Sequence, residues 1–510
     1  MSVLRRHWFA LLVIAAAAIR LPRPFPLWYD EAFTAWLARL PLDRAIEATR
    51  GDVHPPLFYL LEWLVMQIPG ATDTALRLAP AVASVISLVL ARKIAQRLKL
   101  PEAAQVGGLV LMAISGWQLY YAQEARSYSL LMLFFLIGIL AVLHRRWVWL
   151  GAAFTGLLFT HNYGVVYCVV LGVWALAGEI RLPVHSCVDL PWFPERQPES
   201  NWKAPLIAGA GALAVYAPWF VFATLGQMRE FQDHWIWPPT PADVLATLVG
   251  FLYGQVEPSL WTLLVALSGM ALSLCVVWRV LTERDHVALL LAYLSLAPIG
   301  LAFALSYVVS PLYLYRALIG ASVPFYLLIG WALTERVPVR SQAWAVALLL
   351  PLVALAGARD VMRERAVARF QPQTVAAFID QHWQPGDVVY NLNLYSRVEL
   401  EQYLGERAGY ILPLHTTGLD KGGLTLRTRS AMGLLDLEAE LDTLPYQRAW
   451  LIVVQAVELD QTPARDALLS THGSRLALTL EDEEKQNRVE IYLLTPKESS
   501  HGNARTPAHP

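Results

Sequence analysis

From residue 7 to about residue 358, apolar runs recur with only short Pro-, Gly- or charge-bearing breaks between them. A soluble core cannot absorb that many continuous apolar segments, so the chain has to place them in a bilayer. Hydropathy and punctuation predict spans near 7–21, 73–92, 104–121, 127–144, 147–160, 163–180, 204–223, 259–281, 287–308, 317–334 and 342–358, about eleven in all. Composition agrees: 56% of residues are hydrophobic and 16% are charged, where soluble domains carry about 25% charged. A net charge of −1 gives no basic surface for a nucleic-acid partner. Three widely spaced cysteines, with no CxxC pair, define neither a disulfide framework nor a zinc site.

The N-terminus, "MSVLRRHWFALLVIAAAAIRLP", has the basic start, apolar run and small residues of a signal peptide. Because further spans follow, an uncleaved first span is the better reading. Orientation follows from Lys and Arg near span ends. An N-terminus inside puts Arg5, Arg6, Arg92, Lys93, Arg145 and Arg146 in the cytoplasm. The outer side still receives Arg39, Arg44, Arg50, Arg126 and Arg316, so the bias is incomplete. The expectation is a multi-pass protein of the cell (inner) membrane, N-terminus cytoplasmic and C-terminus outside.

After residue 358 the pattern changes. A helix is predicted at 372–383, strands at 388–391, 449–455 and, around a polar turn, within 475–494. Further helices are expected near 397–404, 434–442 and 460–470. The expected organisation is a membrane domain over 1–358, an extracytoplasmic α/β domain over 359–497 and a disordered tail over 498–510.

The long loop after the first span holds the chemistry-bearing residues. In "PLWYDEAFTAWLA", Asp30 and Glu31 open a short amphipathic helix lying along the membrane surface. Taken alone, they read as a helix cap and a dipole complement. Next, "GDVHPPLFYLLEWLVMQIPG" brings Asp52 and His54 before a Pro-Pro pair. The apolar stretch Leu57–Ile68 is about 18 Å long as a helix, too short to span, and is expected to be a second interfacial helix. An isolated His54 would equally be a turn histidine bonding the backbone. Two further outer segments add "YYAQEARSYSLL", with Glu124, Arg126 and Tyr128, and "SPLYLYRALIG", with Arg316 at a span entrance. Interfacial ion pairs and aromatic anchors are the plain reading of the first. An arginine at the second site is costly unless it snorkels or meets an anion. His161 and Asn162, in "THNY", give a weaker signal.

In order, "DEA", "D-x-HPPLFYLL", "ALRL", "YYAQEARSYSLL" and the late Tyr-Arg before a Pro-containing span resemble the GT-C membrane glycosyltransferases of the protein O-mannosyltransferase and lipid A aminoarabinose transferase group. The likeness covers roughly residues 1–335. It implies a polytopic α-helical GT-C-like fold with interfacial helices in the first outer loop and a C-terminal soluble α/β domain. It also implies an inverting glycosyltransferase that moves a sugar from a polyprenyl-phosphate donor to a protein, lipid or envelope-glycan acceptor outside the cell. Asp30 would be the general base. Glu31, Asp52, His54, Glu124 and Tyr128 would support it or position donor and acceptor, and Arg126 and Arg316 would bind phosphate. Where relatives often have Arg-Tyr, this chain has Tyr315-Arg316, which leaves the role of Arg316 open. A divalent metal bridging the phosphate would take Asp52 and His54, but two ligands are too few to define a site.

Two other functions compete. A transporter or flippase of a lipid-linked sugar would need ionisable residues lining a path at mid-span, whereas here the acids gather at span ends. A non-enzymatic scaffold would not need the full set of acidic and basic positions.

Overall fold

The computed structural model describes residues 2–179, 201–230, 236–254, 260–283, 285–334, 349–358, 371–413, 424–441, 446–455, 461–482 and 487–495. The expected tail 498–510, and the start of the span expected near 342–358, lie outside these residues. The chain divides into two compact units: Met1–Phe25 with Leu37–Glu364, and Pro26–Trp36 with Arg365–Pro510.

The first unit is helical. Its elements are α1 (Ser2–Ile19), the end of α2 (Tyr29–Arg39), α3 (Leu42–Gly51), α4 (Leu57–Met66), α5 (Leu78–Arg97), α6 (Glu102–Ile114), α7 (Gly116–Ala122), α8 (Tyr128–Leu143) and α9 (Trp147–Thr160). They continue with α10 (Gly164–Glu179), α11 (Lys203–Trp219), α12 (Leu225–Glu230), α13 (Pro241–Tyr253), α14 (Leu260–Glu283), α15 (His286–Val308), α16 (Ile319–Thr334) and α17 (Leu349–Ala358). Four segments among the described residues are long and apolar enough to cross a membrane: Asp73–Arg97, Lys203–Met228, His286–Val308 and Tyr315–Thr334. Shorter apolar helices accompany them, as a polytopic helical membrane protein requires.

Helix α16 is buried along nearly its whole length, while α11 exposes Leu206, Ile207, Leu213 and Val215. A soluble protein would not present such a face; lipid tails accept it. The core forms by close backbone approach as well as by large side chains. A Cβ added at Gly108 would lie 2.8 Å from the Tyr326 carbonyl, and one at Gly330 would strike the Ala104 carbonyl. Only glycine lets α6 and α16 meet this closely.

The span expected as one piece over 104–121 is broken. Ser115 is extended (φ −57°, ψ 133°), which ends α6 and starts α7 in a new direction. A break inside a membrane frees backbone carbonyls that must find donors. Arg20 supplies them: its guanidinium donates to the Ala113 carbonyl (2.9 Å) and the Met112 carbonyl (3.1 Å), and its Nε donates to Ser84 Oγ (3.0 Å). Ser115 Oγ donates to the Phe251 carbonyl at 2.6 Å.

The second unit carries a five-stranded sheet of order β2-β1-β3-β5-β4, made of β1 (Asp387–Asn391), β2 (Tyr410–Ile411), β3 (Arg448–Gln455), β4 (Gly473–Asp482) and β5 (Asn487–Thr495). The pairs β1–β2 and β1–β3 are parallel; β3–β5 and β4–β5 are antiparallel. Helices α18 (Pro372–His382) and α19 (Leu394–Leu404) flank the first strand. One face buries Val389, Trp450, Ile452 and Ile491 under α18 and α19; the other buries Tyr390, Leu451, Val453 and Leu494. That alternation is the period-two signature of strands buried on both sides.

Within the helix expected over 434–442, the described residues 434–441 do not form one. Only Leu435–Leu437 make a 3₁₀ turn, after which Glu438 is extended and bridges in parallel to Ile411. Here a sheet contact outweighs the helix propensity of "LLDLEAEL".

Replacing Arg20 by Met should leave the α6 carbonyls without donors and cost about 1–3 kcal/mol. Thermal unfolding in detergent should show a clear loss of stability, whereas Lys93→Met, at an exposed position of α5, should be near neutral.

Candidate active site

The first loop folds as three short helices, not the two expected. Helix α3 was not anticipated because its buried face consists of Ala45, Ala48 and Thr49, too small to give an apolar stripe. Asp52 follows α3 directly, its backbone N–H closing on Ala48 and Thr49. Pro55 and Pro56 then stiffen the chain before α4 begins at Leu57.

That geometry turns the Asp52 carboxylate inward, where it is only 6% exposed. Its Oδ2 accepts from Tyr59 Oη at 2.8 Å, from His54 Nδ1 at 3.2 Å and from the His54 backbone N–H at 3.3 Å. On the other side of the imidazole, an Arg126 guanidinium nitrogen lies 3.3 Å from His54 Nε2, and another lies 3.5 Å from Tyr59 Oη. Arginine can only donate, so Nε2 is the acceptor and the ring proton sits on Nδ1, facing Asp52. Burial alone would raise the Asp52 pKa. The His54 hydrogen bond, the Arg126 charge and the Tyr59 hydroxyl outweigh burial and hold the carboxyl below its ordinary value.

Arg126 comes from the turn between α7 and α8, where Glu124, Arg126 and Tyr128 are all buried. The turn is tightened by the Arg126 N–H donating to the Glu124 carbonyl at 2.7 Å. Gln123 Nε2 ties it to the end of α1 through the Ile19 carbonyl at 2.6 Å. Tyr128 opens α8 with its ring 5.8 Å from that of His161 and 5.1 Å from that of Tyr121. The Arg316 guanidinium stands 5.7 Å from the Tyr128 ring centroid.

Arg316 is placed by α10 and the residue before it. Tyr163 Oη donates to the Leu312 carbonyl and accepts from the Leu314 N–H at 2.6 Å. Tyr167 Oη donates to the Ala317 carbonyl at 2.9 Å and accepts from the Gly320 N–H at 3.0 Å. Two tyrosines four residues apart thus fasten the segment on both sides of the arginine.

The helical unit therefore gathers Asp52, His54, Arg126, Tyr128, His161 and Arg316, and adds a Tyr59 bond to Asp52. Glu124 lies in the same turn as Arg126. The sequence suggests Tyr59 only as a carbohydrate-stacking ring; its bond to Asp52 is set by the fold of α4. Asp30 and Glu31 stand in the first turn of α2, within the segment Pro26–Trp36 that belongs to the second unit. There the Tyr29 ring meets that of Tyr395 at 4.3 Å, and the Arg397 guanidinium lies 5.3 Å from the Trp36 ring centroid. Arg397 is itself fixed by the Gly409 carbonyl (2.7 Å) and by Glu401 (2.6 Å).

The residues suggested for a metal do not fit one. Both ring nitrogens of His54 are engaged, and Asp52 Oδ2 already accepts three hydrogen bonds. Among the described residues no three His, Cys, Asp or Glu side chains converge as a ligand set.

Residues 53–187, which include His54, Tyr59, Glu124, Arg126, Tyr128 and His161, match the family model of dolichyl-phosphate-mannose-protein mannosyltransferases. Two crystal structures of ArnT from Cupriavidus metallidurans share the fold. The apo form matches with a TM-score of 0.60 at 14% identity, covering 96% of this chain and 98% of that one. The form bound to undecaprenyl phosphate gives 0.59 at 14% identity over 95% and 98%. No curated protein matches the sequence.

Asp52→Asn should leave the buried His54 and Tyr59 donors facing a weaker acceptor and cost about 1–3 kcal/mol. Because the folded pKa is depressed, the carboxylate contributes stability above its ordinary value of 3.8 and loses it as pH falls through the folded value. The difference in melting temperature between parent and variant should be level from pH 7 to pH 5 and shrink below pH 4.

Proposed function

We propose that this chain, a membrane glycosyltransferase with the GT-C fold, moves a sugar from a polyprenyl-phosphate donor to an acceptor hydroxyl on the outer membrane surface, with inversion. The observation that carries the reading is the cluster in which buried Arg126 and half-buried Arg316 stand with buried Tyr128 and His161, beside Asp52 and His54. A cation is costly to bury, and two guanidinium groups held at helix ends suit a phosphate. Undecaprenyl phosphate, the molecule bound in one ArnT structure, is a donor carrier of that class. The lipid-linked headgroup must be met where hydrocarbon ends, the depth at which interfacial α2, α3 and α4 would lie.

In this reading the acceptor oxygen attacks the anomeric carbon while the bond from that carbon to the phosphate oxygen breaks. The acceptor proton passes to the Asp30 carboxylate, and polyprenyl phosphate leaves as an anion facing Arg126 and Arg316. Asp52 is a positioning residue: it orients His54 and Tyr59, which in turn orient Arg126. Glu124 holds the turn that presents Arg126, and Glu31 supports α2 beside Asp30. The α/β unit gains a role as well, since Tyr395 and Arg397 hold the segment that carries Asp30. The same reading takes the helical unit as about eleven crossings with a cytoplasmic N-terminus, and sets the α/β unit outside. The acceptor is a protein, a lipid or an envelope glycan.

Asp30→Asn should lower sugar transfer by about 10²–10⁴-fold while the protein inserts and unfolds normally; a fully active variant would sink the assignment. Release of free polyprenyl phosphate by the purified protein separates transfer from flipping, which leaves the lipid-linked sugar intact. Arg397→Ala should lower turnover by up to about 10²-fold through displacement of α2, with little change in donor KM.

A further inference from the structure

His161 is a buried polar group of the cluster that the mechanism above leaves unused. It follows α9 directly, and the Tyr163 backbone N–H donates to its Nδ1 at 3.1 Å. An Nδ1 that accepts has no proton, so the neutral ring carries its proton on Nε2. The side chain is 4% exposed, and Nε2 has no hydrogen-bond partner among the described residues. A buried N–H without an acceptor is expensive, so its place in a folded protein calls for a ligand.

The surroundings define what that ligand is. The ring lies 5.0 Å from His54, 5.8 Å from Tyr128 and 5.8 Å from Tyr163. Burial first, and then His54, Arg126 and Arg316, push its pKa well below the ordinary histidine value, so it stays a neutral donor. A third cation here would be repelled by both arginines; a neutral N–H adds a hydrogen bond at no such cost. A group with several anionic oxygens can take one bond from each arginine and one from the imidazole.

We propose that His161 Nε2–H donates to a non-bridging phosphate oxygen of the lipid-linked donor and of the polyprenyl phosphate that leaves. This rests on the transferase reading and adds a third, uncharged member to its phosphate site. No proton moves: the bond strengthens as negative charge gathers on the departing phosphate.

Binding of polyprenyl monophosphate, of the uncharged polyprenol of equal length and of inorganic phosphate should be measured on the full chain in detergent. Variants are His161→Phe, which keeps a ring without the donor, and His161→Gln, which keeps an N–H. Where His161→Phe does not fold, His161→Leu carries the same expectation. Removing the donor should weaken polyprenyl phosphate binding about tenfold and leave polyprenol binding unchanged, and His161→Gln should restore most of the loss. Inorganic phosphate competing equally well with the lipid would identify a free-anion site and overturn the assignment to the donor. Equal losses for phosphate and alcohol would show a structural role and overturn it too. If the parent binds polyprenyl phosphate and the folded donor-less variant binds it equally, the inference falls alone. If the parent binds no polyprenyl phosphate, the transferase reading falls with it.

Discussion

One carboxylate oxygen, Asp52 Oδ2, gathers three donors and thereby orders the groups around it. It fixes the tautomer of His54 and the direction of the Tyr59 hydroxyl. Those two groups receive the Arg126 guanidinium. Without the carboxylate, a buried cation, imidazole and phenol would each have to be satisfied separately in a poorly solvated place, where unmet donors cost most. The rest of the helical unit serves that arrangement. Arg20 makes the break at Ser115 tolerable, so α7 can turn and present the Glu124–Tyr128 segment. Tyr163 and Tyr167 place Arg316 from the other side. Helix ends, broken helices and short surface helices are where backbone and charge can be exposed at membrane depth without facing lipid.

Much of this was readable from residue types in order. Paired acids, D-x-H-P-P, Q-E-A-R-S-Y and a late arginine sit at the breaks between apolar runs, and charge at such breaks is informative because the runs themselves exclude it. The α/β unit was also legible: period-two burial marks β1, β3, β4 and β5 within a few residues of where they form. What escaped depends on tertiary contact. Helix α3 hides because small residues line its buried face. Ser115 is an unremarkable serine in an apolar run, and its break is made affordable by Arg20, far away in sequence. Residues 434–442 look helical by propensity, yet a bridge to Ile411 claims Glu438.

The placement of Pro26–Trp36 with the α/β unit is the least legible feature of all. Nothing in "PLWYDEAFTAWLA" announces that Tyr29 and Trp36 will pack on Tyr395 and Arg397, some 360 residues later by their numbers in the sequence. That packing gives a physical reason for a catalytic membrane chain to carry the α/β unit. The helix with Asp30 is short, and short helices are marginal alone in water. A folded unit that grips it through an aromatic pair and a guanidinium already held by two partners keeps the carboxylate from wandering.

Arg126 and Arg316 are the proposed seat of a lipid phosphate. A cryo-electron microscopy structure of the full chain with polyprenyl phosphate tests that placement most directly. Phosphate density is expected with oxygens about 2.7–3.2 Å from guanidinium nitrogens of Arg126 and Arg316. A phosphate held elsewhere, with both arginines still engaged only by the protein, would contradict it.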